Sequence, residues 1–480
     1  DDRKQWLMER YDPASSIDRN IRTVAISDFI NFELSHFSTY DCARSLPNIM
    51  DGLKPSQRKI IHVALKCISK NEMKVGQLGP KVAEATDYHH GEQSLLGAII
   101  NMAQDYVGSN NINLLLPIGA FGSRLSNGND AASPRYIFTK MNPIAMKIFS
   151  QKDSNLLKYL ESDGSIIEPE WFAPVIPMIL INGTLGIGTG FSTSVLQYNP
   201  KDIIRYIKTM LSGEKPAKNL MPWYKGFTGS IEKDAPNKYT TYGVWSFEDR
   251  NRCLRVTELP INVWTDNYKS FCEKMLVQDN SPLSDVQYGN TDVVVDVRFI
   301  FKVSEYPKYK AMSRDDLVKE FKLSSKLSST NMYLFDVDGR IEKFPNVYSI
   351  IKYYFAFRLE LYVKRRQNLI EQLQYEMLIL RNKAAFIKAV KEGKIDQRKM
   401  TEASLLKSLQ EGFDADPRSS GSGLTVYEYL IGMSYRSFTN ENAKKMLDAV
   451  KAKELELKKI QETTPETMWV NDLDSIKEML

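Results

Sequence analysis

The chain has 480 residues, 42% hydrophobic and 11% aromatic, which is enough apolar material for several packed cores and excludes global disorder. Its 64 basic and 59 acidic residues leave a net charge of +5, which permits an acidic polymer as partner without requiring one. The longest apolar run, 173–181, holds two prolines and falls far short of the ~18 residues of a membrane span; the four cysteines form no C-x-x-C pair, which argues against a zinc site or disulfide framework and for a reducing compartment. At ~150 residues per domain the length predicts two to four domains. No methionine or signal-like segment opens the chain, so it reads as an excerpt of a longer protein.

The segment 26–37 predicts a helix, with Ser27-Asp28 as an N-cap pair and Phe29, Ile30, Phe32, Leu34 and Phe37 as an apolar face. Short helices separated by Gly, Pro and Asn turns follow to about residue 160. One starts at Pro55, with Gln57, Arg58 and Lys59 in its first turns. Another starts near Gly91 and carries Leu95, Ile99, Met102 and Ala103 at three-to-four spacing. From about 165 to 340 the pattern turns to strands: 239–247, 254–257, and the apolar run 292–297, read as a strand buried on both faces. Helices at 202–211 and 314–321 interrupt them. Asp336-Val337-Asp338-Gly339 has the D-x-D of a metal site, but the strand-like runs on either side make it a hairpin turn.

The last third is helical and highly charged. Phe355, Leu359, Tyr362, Arg366, Leu369, Leu373, Met377, Leu380, Ala384 and Ile387 form a long seam, and Met446, Val450, Leu457 and Ile460 a shorter one that stops at Pro465. These predict two antiparallel helices with a small helical cap over about 390–440, which holds a flexible Ser/Gly loop at 418–423.

Residues that carry chemistry gather in a few places. Arg44, Lys54, Arg58 and Lys59 lie at or before a helix start behind a Gly/Pro turn, where basic side chains and free amides meet phosphates; a solvated basic face has the same composition. His89 and His90, two of only four histidines, stand before the next helix, with Gln93 close behind. Adjacent histidines point to different sides, so one packs while the other faces a ligand, and no carboxylate–histidine spacing supports a metal. A long loop of small residues from Gly119 ends in Arg135-Tyr136; by itself Tyr136 reads as a surface residue. The segment 182–190 is glycine-rich around Ile187 but lacks the Lys-Ser/Thr of a phosphate loop and the spacing of a dinucleotide fingerprint.

Taken together and in this order, SLPNIMDGLKPSQRK, YHHGEQSL, PIGAFGSR, DAASPRYI, EPEWFAPVIPMILINGTLGIGTG, TELP and YEYLIGM closely resemble the breakage–reunion region of type IIA DNA topoisomerases, the eukaryotic-type branch in particular. The resemblance runs from about Ile26 to the C-terminus. It departs at Ile118, where the family usually has Asn, and at Ser133-Pro134, where it has Ala-rich sequence; both read as lineage variation. The resemblance implies that Tyr136 is a nucleophile that forms a 5′-phosphotyrosine, with Arg135 holding the phosphate and His90 assisting. It implies that Arg44, Lys54, Arg58 and Lys59 grip the backbone, that Gln57, Gln93 and His89 add contacts, and that Ile187 wedges between base pairs. Flanking Gly186 and Gly188 would let the backbone approach the groove.

The fold class implied is mixed and multidomain, mainly α with α+β. A connector over 1–40 would come from an absent Toprim module, followed by a winged-helix cleavage domain over 41–164 and an α+β tower over 165–340. An antiparallel coiled-coil arm with a C-gate would occupy 341–480, its tip at about 390–440. The expected partners are double-stranded DNA and a second copy, joined at the gate near 426–430, with no membrane. Magnesium and ATP would bind the absent Toprim and ATPase modules, no metal site is expected in this chain, and the fragment alone would cleave poorly. The expected setting is intracellular: the nucleus if the source is cellular, the host cytoplasm if it is a large DNA virus. The rival readings are a non-catalytic DNA-bending protein and a tyrosine recombinase, which would leave a 3′-phosphotyrosine instead.

Overall fold

The computed structural model describes residues 2–9, 11–18, 20–396 and 399–480. They form two compact units, one reaching to Arg358 and taking in Val470–Leu480, the other Leu359–Trp469. In the first, the helix Ile26–Phe29 passes through a π-turn, Ile30–Leu34, into Ser35–Ser45. Ala25 is its N-cap, so Ser27 and Asp28 lie inside the first turn rather than capping it. The predicted apolar stripe is there, but Phe29, Ile30, Phe32 and Phe37 are exposed.

Three helices, Pro55–Cys67, Val75–Thr86 and Glu92–Ala103, pack on one another and on a three-stranded antiparallel sheet. Phe138–Met141 is the middle strand, between Met73–Lys74 and Leu115–Ile118. Pro55 sets the first helical turn, where its missing N–H goes unneeded, and Ile60, Ile61, Val63 and Ala64 then face inward against Leu78, Val82, Leu95 and Ile99. His62 joins this core and stays neutral: its Nε2 accepts from the Lys66 ammonium at 2.8 Å, and burial, then Lys66 and Lys59, push its pKa down to about 4.

The middle of the chain builds a four-stranded antiparallel sheet in the order Val244–Glu248, Cys253–Glu258, Val297–Phe301, Leu283–Tyr288. Thr265–Val277 and Arg314–Glu320 supply its helical cover, around Leu254, Val256, Phe299, Phe301 and Phe321. The predicted strand run 239–247 is two strands, Lys238–Tyr242 and Val244–Glu248, which part at Gly243 into different sheets; a Cβ at Gly243 would strike the Glu258 carbonyl. The second strand prediction fails. The run 292–297 is mostly turn: Thr291 Oγ1 accepts from the amides of Val293 and Val294, and Asn290 Oδ1 from that of Asp296. Polar side chains there capture amides that a ladder would need, so Val293 and Val294 stay exposed. The strand begins only at Val297.

The expected 336–339 turn joins Tyr333–Phe335 to Ile341–Lys343. Asp336 Oδ1 accepts from the amides of Asp338, 2.9 Å, and Arg340, 2.7 Å, so this carboxylate serves the turn.

In the second unit, the helix Val347–Lys391 runs on past Leu359 and meets Asn440–Glu462. Lys391 pairs with Asn440, Arg381 with Glu454, Glu376 with Lys453 and Arg366 with Gln461, an antiparallel order. Arg366 also donates to the carbonyls of Thr463, 3.0 Å, and Ile460, 3.3 Å, and so closes the C-terminal end of the second helix. Phe386, Leu405, Leu409, Tyr427 and Leu430 form a separate small core.

Candidate functional site

Tyr136 ends a loop that its own glycines hold in shape. Gly119, Gly122 and Gly128 all have φ between +74 and +113, and at Gly122 an added Cβ would collide with the Gly128 backbone. No L-residue fits both constraints. Gln104 Nε2 donates to the Phe121 carbonyl at 2.9 Å, Ser123 Oγ to Asp130 Oδ2 at 2.5 Å, and Arg124 is buried against Glu258. The far end is tied to the helix Val75–Thr86. The Gly76 amide donates to the Pro134 carbonyl at 2.9 Å and the Val75 amide to that of Ile137 at 3.0 Å. Two amides left without intrahelical partners at a helix start therefore grip the tyrosine loop. Tyr136 itself is 71% exposed, and the exposed Arg135 guanidinium sits 5.7 Å from its ring centre.

The two histidines differ in exposure. His89 is exposed and bonds Asp87 at 3.0 Å, whose carboxylate also accepts from Ser162. His90 is half-buried: its Nε2 shares a 2.7 Å hydrogen bond with the Tyr40 hydroxyl, and its ring lies edge-on to Tyr88 at 5.2 Å. Burial lowers the His90 pKa, and the charges of Arg44, His89 and Lys59 lower it further. Among the described residues, no hydrogen bond or ring contact joins His90 to Tyr136.

The basic residues do not act alike. Arg44 is exposed in the last turn of Ser35–Ser45. Lys54 is half-buried with its ammonium on the Leu185 carbonyl at 2.8 Å, and burial lowers its pKa. Gln57 accepts from the Lys54 amide at 2.9 Å, a helix-capping role, while Gln93 is exposed in the first turn of Glu92–Ala103.

Arg58, expected to grip the backbone, is buried in this structure. It is 7% exposed; its Nε and Nη2 reach Asp51 at 2.7 and 3.1 Å, and Nη2 also reaches the Leu53 carbonyl. Lys59 likewise turns inward, to Glu168 at 2.8 Å and to the Thr86 carbonyl. Both lie one turn beyond the helix start, on the face that meets the core.

Ile187 ends the strand Thr184–Ile187, which pairs with Ser192–Val195 in a tight hairpin. It is 84% exposed, and Leu185, unremarked in the sequence, is 73% exposed on the same face. The glycines have a use within the protein itself. A Cβ on Gly186 would collide with the Ser45 carbonyl, and one on Gly188 would lie 3.1 Å from Cys42 Cα, so both let the hairpin seat on the helix that carries Arg44. Thr189 secures it through Asp41, at 2.8 and 3.0 Å. Tyr40, Asp87, Ser162 and Gly76 are likewise parts of the site that no motif had singled out. No cluster of three His, Cys, Asp or Glu side chains fit for a metal occurs among the described residues.

The family model for DNA gyrase/topoisomerase IV, that of the A-type subunit, matches residues 44–474. DNA topoisomerase 2 of Arabidopsis thaliana is 40% identical over 100% of this chain and 35% of its own length. That of Saccharomyces cerevisiae is 36% identical over 99% of this chain and 36% of its own. The chain thus spans about a third of the length of these curated relatives. A crystal structure of the Plasmodium falciparum topoisomerase II DNA-binding, cleavage and re-ligation domain superposes with a TM-score of 0.89 at 38% identity, covering 99% of this chain and 67% of that one.

Proposed function

The chain belongs to the DNA gyrase/topoisomerase IV family, and we propose that it is the DNA-binding and cleavage core of a type II DNA topoisomerase. Such an enzyme opens a duplex by a transient double-strand break, passes a second duplex and reseals the first. The observation that carries this reading is Tyr136: an open phenol beside a permanent cation, on a loop whose backbone is fixed at both ends.

In this reading the Tyr136 hydroxyl oxygen attacks the scissile phosphorus. A phosphorus–oxygen bond to tyrosine forms, the bond to the 3′ oxygen breaks, and that oxygen takes up a proton as the phenol loses its own. One phosphodiester replaces another, so the 3′-hydroxyl can attack back and reseal the strand without an outside energy source. Arg135 offsets charge that builds on the non-bridging oxygens. Burial and the nearby cations lower the His90 pKa, which favours the neutral imidazole, a hydrogen-bond partner that does not add to the surrounding positive charge. Arg44 and the outward donors of Lys54 contact phosphates, with Gln93 and His89 beside them, and Ile187 enters a base step. Arg58, Lys59 and Gln57 act on the fold instead, as their internal bonds indicate.

The three-helix and sheet region takes the winged-helix part and the four-stranded region the tower. The antiparallel helix pair takes the part of a coiled-coil arm, ending in a C-gate through which a second copy pairs. Tyr427 and Leu430 pack into the tip's own core, so the gate would use neighbouring exposed positions. The open apolar stripe at 29–37 suits the connector to a Toprim module. Magnesium and ATP would be held by that module and by an ATPase domain; the Asp336 carboxylate serves its own turn. The named relatives are cellular, and the setting proposed on that likeness is intracellular.

The test is to mix the full-length enzyme with duplex DNA and stop the reaction with denaturant. Covalent protein–DNA adduct at the 5′ end is expected, and Tyr136→Phe should abolish it. Adduct that persists in Tyr136→Phe would refute the assignment. DNA bending with no adduct from the wild type would favour the architectural reading, and a 3′ linkage the recombinase.

A further inference from the structure

We propose that Leu185 is a second apolar DNA contact beside Ile187, resting against the sugar wall of the minor groove two base pairs from the wedged step. The proposal rests on the reading of Ile187 as a wedge.

Side chains alternate along a strand, so Leu185 and Ile187 share one face of Thr184–Ile187, while Gly186 between them is pressed against the Ser45 carbonyl. The cross-strand partners on that face are Ser194 and Ser192. Both are small and already bonded, Ser194 to the Ser328 carbonyl at 2.8 Å and Ser192 to Asn331 at 3.1 Å. Two apolar side chains therefore stand clear of a low polar floor.

A single exposed leucine would be unremarkable. Here the backbone beneath it is held on every side. The Lys54 ammonium holds the Leu185 carbonyl, the amide of Gly188 donates to the Phe191 carbonyl at 2.8 Å, and Thr189 is fixed by Asp41. A hairpin seated this firmly presents both side chains at a set spacing. Same-face neighbours on an antiparallel strand are about 6.8 Å apart. Stacked base pairs rise about 3.4 Å each, so the two prongs match two steps of a duplex that runs along the strand. Leu185 has no hydrogen-bonding group and so reads no base. It suits the carbon–hydrogen surface of deoxyribose, with the Lys54 charge beside it for the adjoining phosphate.

The experiment uses the 480-residue chain and a duplex of about 30 base pairs carrying 2-aminopurine at the wedged step and a fluorophore pair at its ends. Ile187→Ala should remove the unstacking signal. Leu185→Ala and Leu185→Asn should keep that signal, reduce the bend and weaken binding roughly 5- to 20-fold, the scale of burying part of one leucine side chain. Leu185→Met should restore most of the affinity, and the urea midpoint should not move in any of the three Leu185 variants. Wild-type binding and bending by both Leu185→Ala and Leu185→Asn, with Ile187→Ala impaired, would overturn the proposal while leaving the wedge intact. If Ile187→Ala also matches the wild type, the wedge reading falls and this one with it.

Discussion

Replacing Arg58 by Ala should damage the fold, and replacing Arg44 should damage DNA binding. Asp51 is fully buried and accepts four N–H groups: the amides of Leu53, 2.9 Å, and Phe172, 3.0 Å, with Nε and Nη2 of Arg58. Arg58→Ala removes two charge-assisted hydrogen bonds, about 1.5–3 kcal/mol each, and leaves a buried carboxylate without its counter-charge. The expected loss is about 3–5 kcal/mol, the range for a buried pair broken on one side. Arg58→Lys should recover only part of it, since one ammonium cannot copy the fork that meets Asp51 and the Leu53 carbonyl together. Arg44→Ala, at an exposed position, should shift stability by under about 0.5 kcal/mol. It should also lower the slope of log affinity against log salt by about 1. Urea unfolding and binding titrations at several salt concentrations separate the two effects. If Arg58→Ala unfolds at the wild-type midpoint while losing affinity and salt slope as Arg44→Ala does, Arg58 is a phosphate contact after all and the buried-hub account is wrong.

His62 supplies a pH test. Its folded pKa, about 4, lies below the unfolded value near 6.5, so between these limits the unfolded chain binds the extra proton and stability falls as pH falls. From pH 7 to pH 5 the loss should be about 2 kcal/mol; His62→Gln should flatten that part of the urea-midpoint profile, and an unchanged slope would assign it to other groups. Gly186→Ala forces a methyl into the Ser45 carbonyl. It should cost roughly 1–3 kcal/mol and abolish DNA bending, as calorimetry and end-to-end fluorescence can show; wild-type bending would mean that the hairpin need not seat on its helix. Arg366→Ala should loosen the end of Asn440–Glu462 by about 1–2 kcal/mol, visible as faster amide exchange at 460–463, and unchanged exchange there would show that water replaces the cap. Sedimentation of the chain at micromolar concentration should show a dimer, and monomer alone would count against the gate.

The helices of the first unit and the long seam were legible because repeated apolar spacing reports a face whatever lies opposite it. The roles proposed for Tyr136, Arg135, His90 and Ile187 come from motifs in order alone, since nothing local in the sequence would distinguish an exposed tyrosine from a reactive one. The partition of the basic residues was not readable. Arg44 and Arg58 carry the same charge, and only the position of Asp51 and Phe172 decides which is free. The 292–297 run misled because β-branched residues describe a strand well, while Asn290 and Thr291 act through side-chain geometry that composition does not show. Gly186 and Gly188 were noticed for close approach, and the neighbours the structure shows for them, Ser45 and Cys42, were not legible in the sequence.

The attachment of the tyrosine loop has a mechanical consequence. A DNA end joined to Tyr136 would be a tether, and any tension on it must be passed to the body of the protein. One residue on, the chain reaches Ile137, whose carbonyl is held by Val75, and then Phe138–Met141, the strand with neighbours on both sides. A pull along that strand loads several ladder hydrogen bonds in shear at once rather than unzipping them singly. On the proposed role of Tyr136 the tether would be moored in the central strand of its sheet, and a broken duplex could be drawn apart without the protein letting go of its ends.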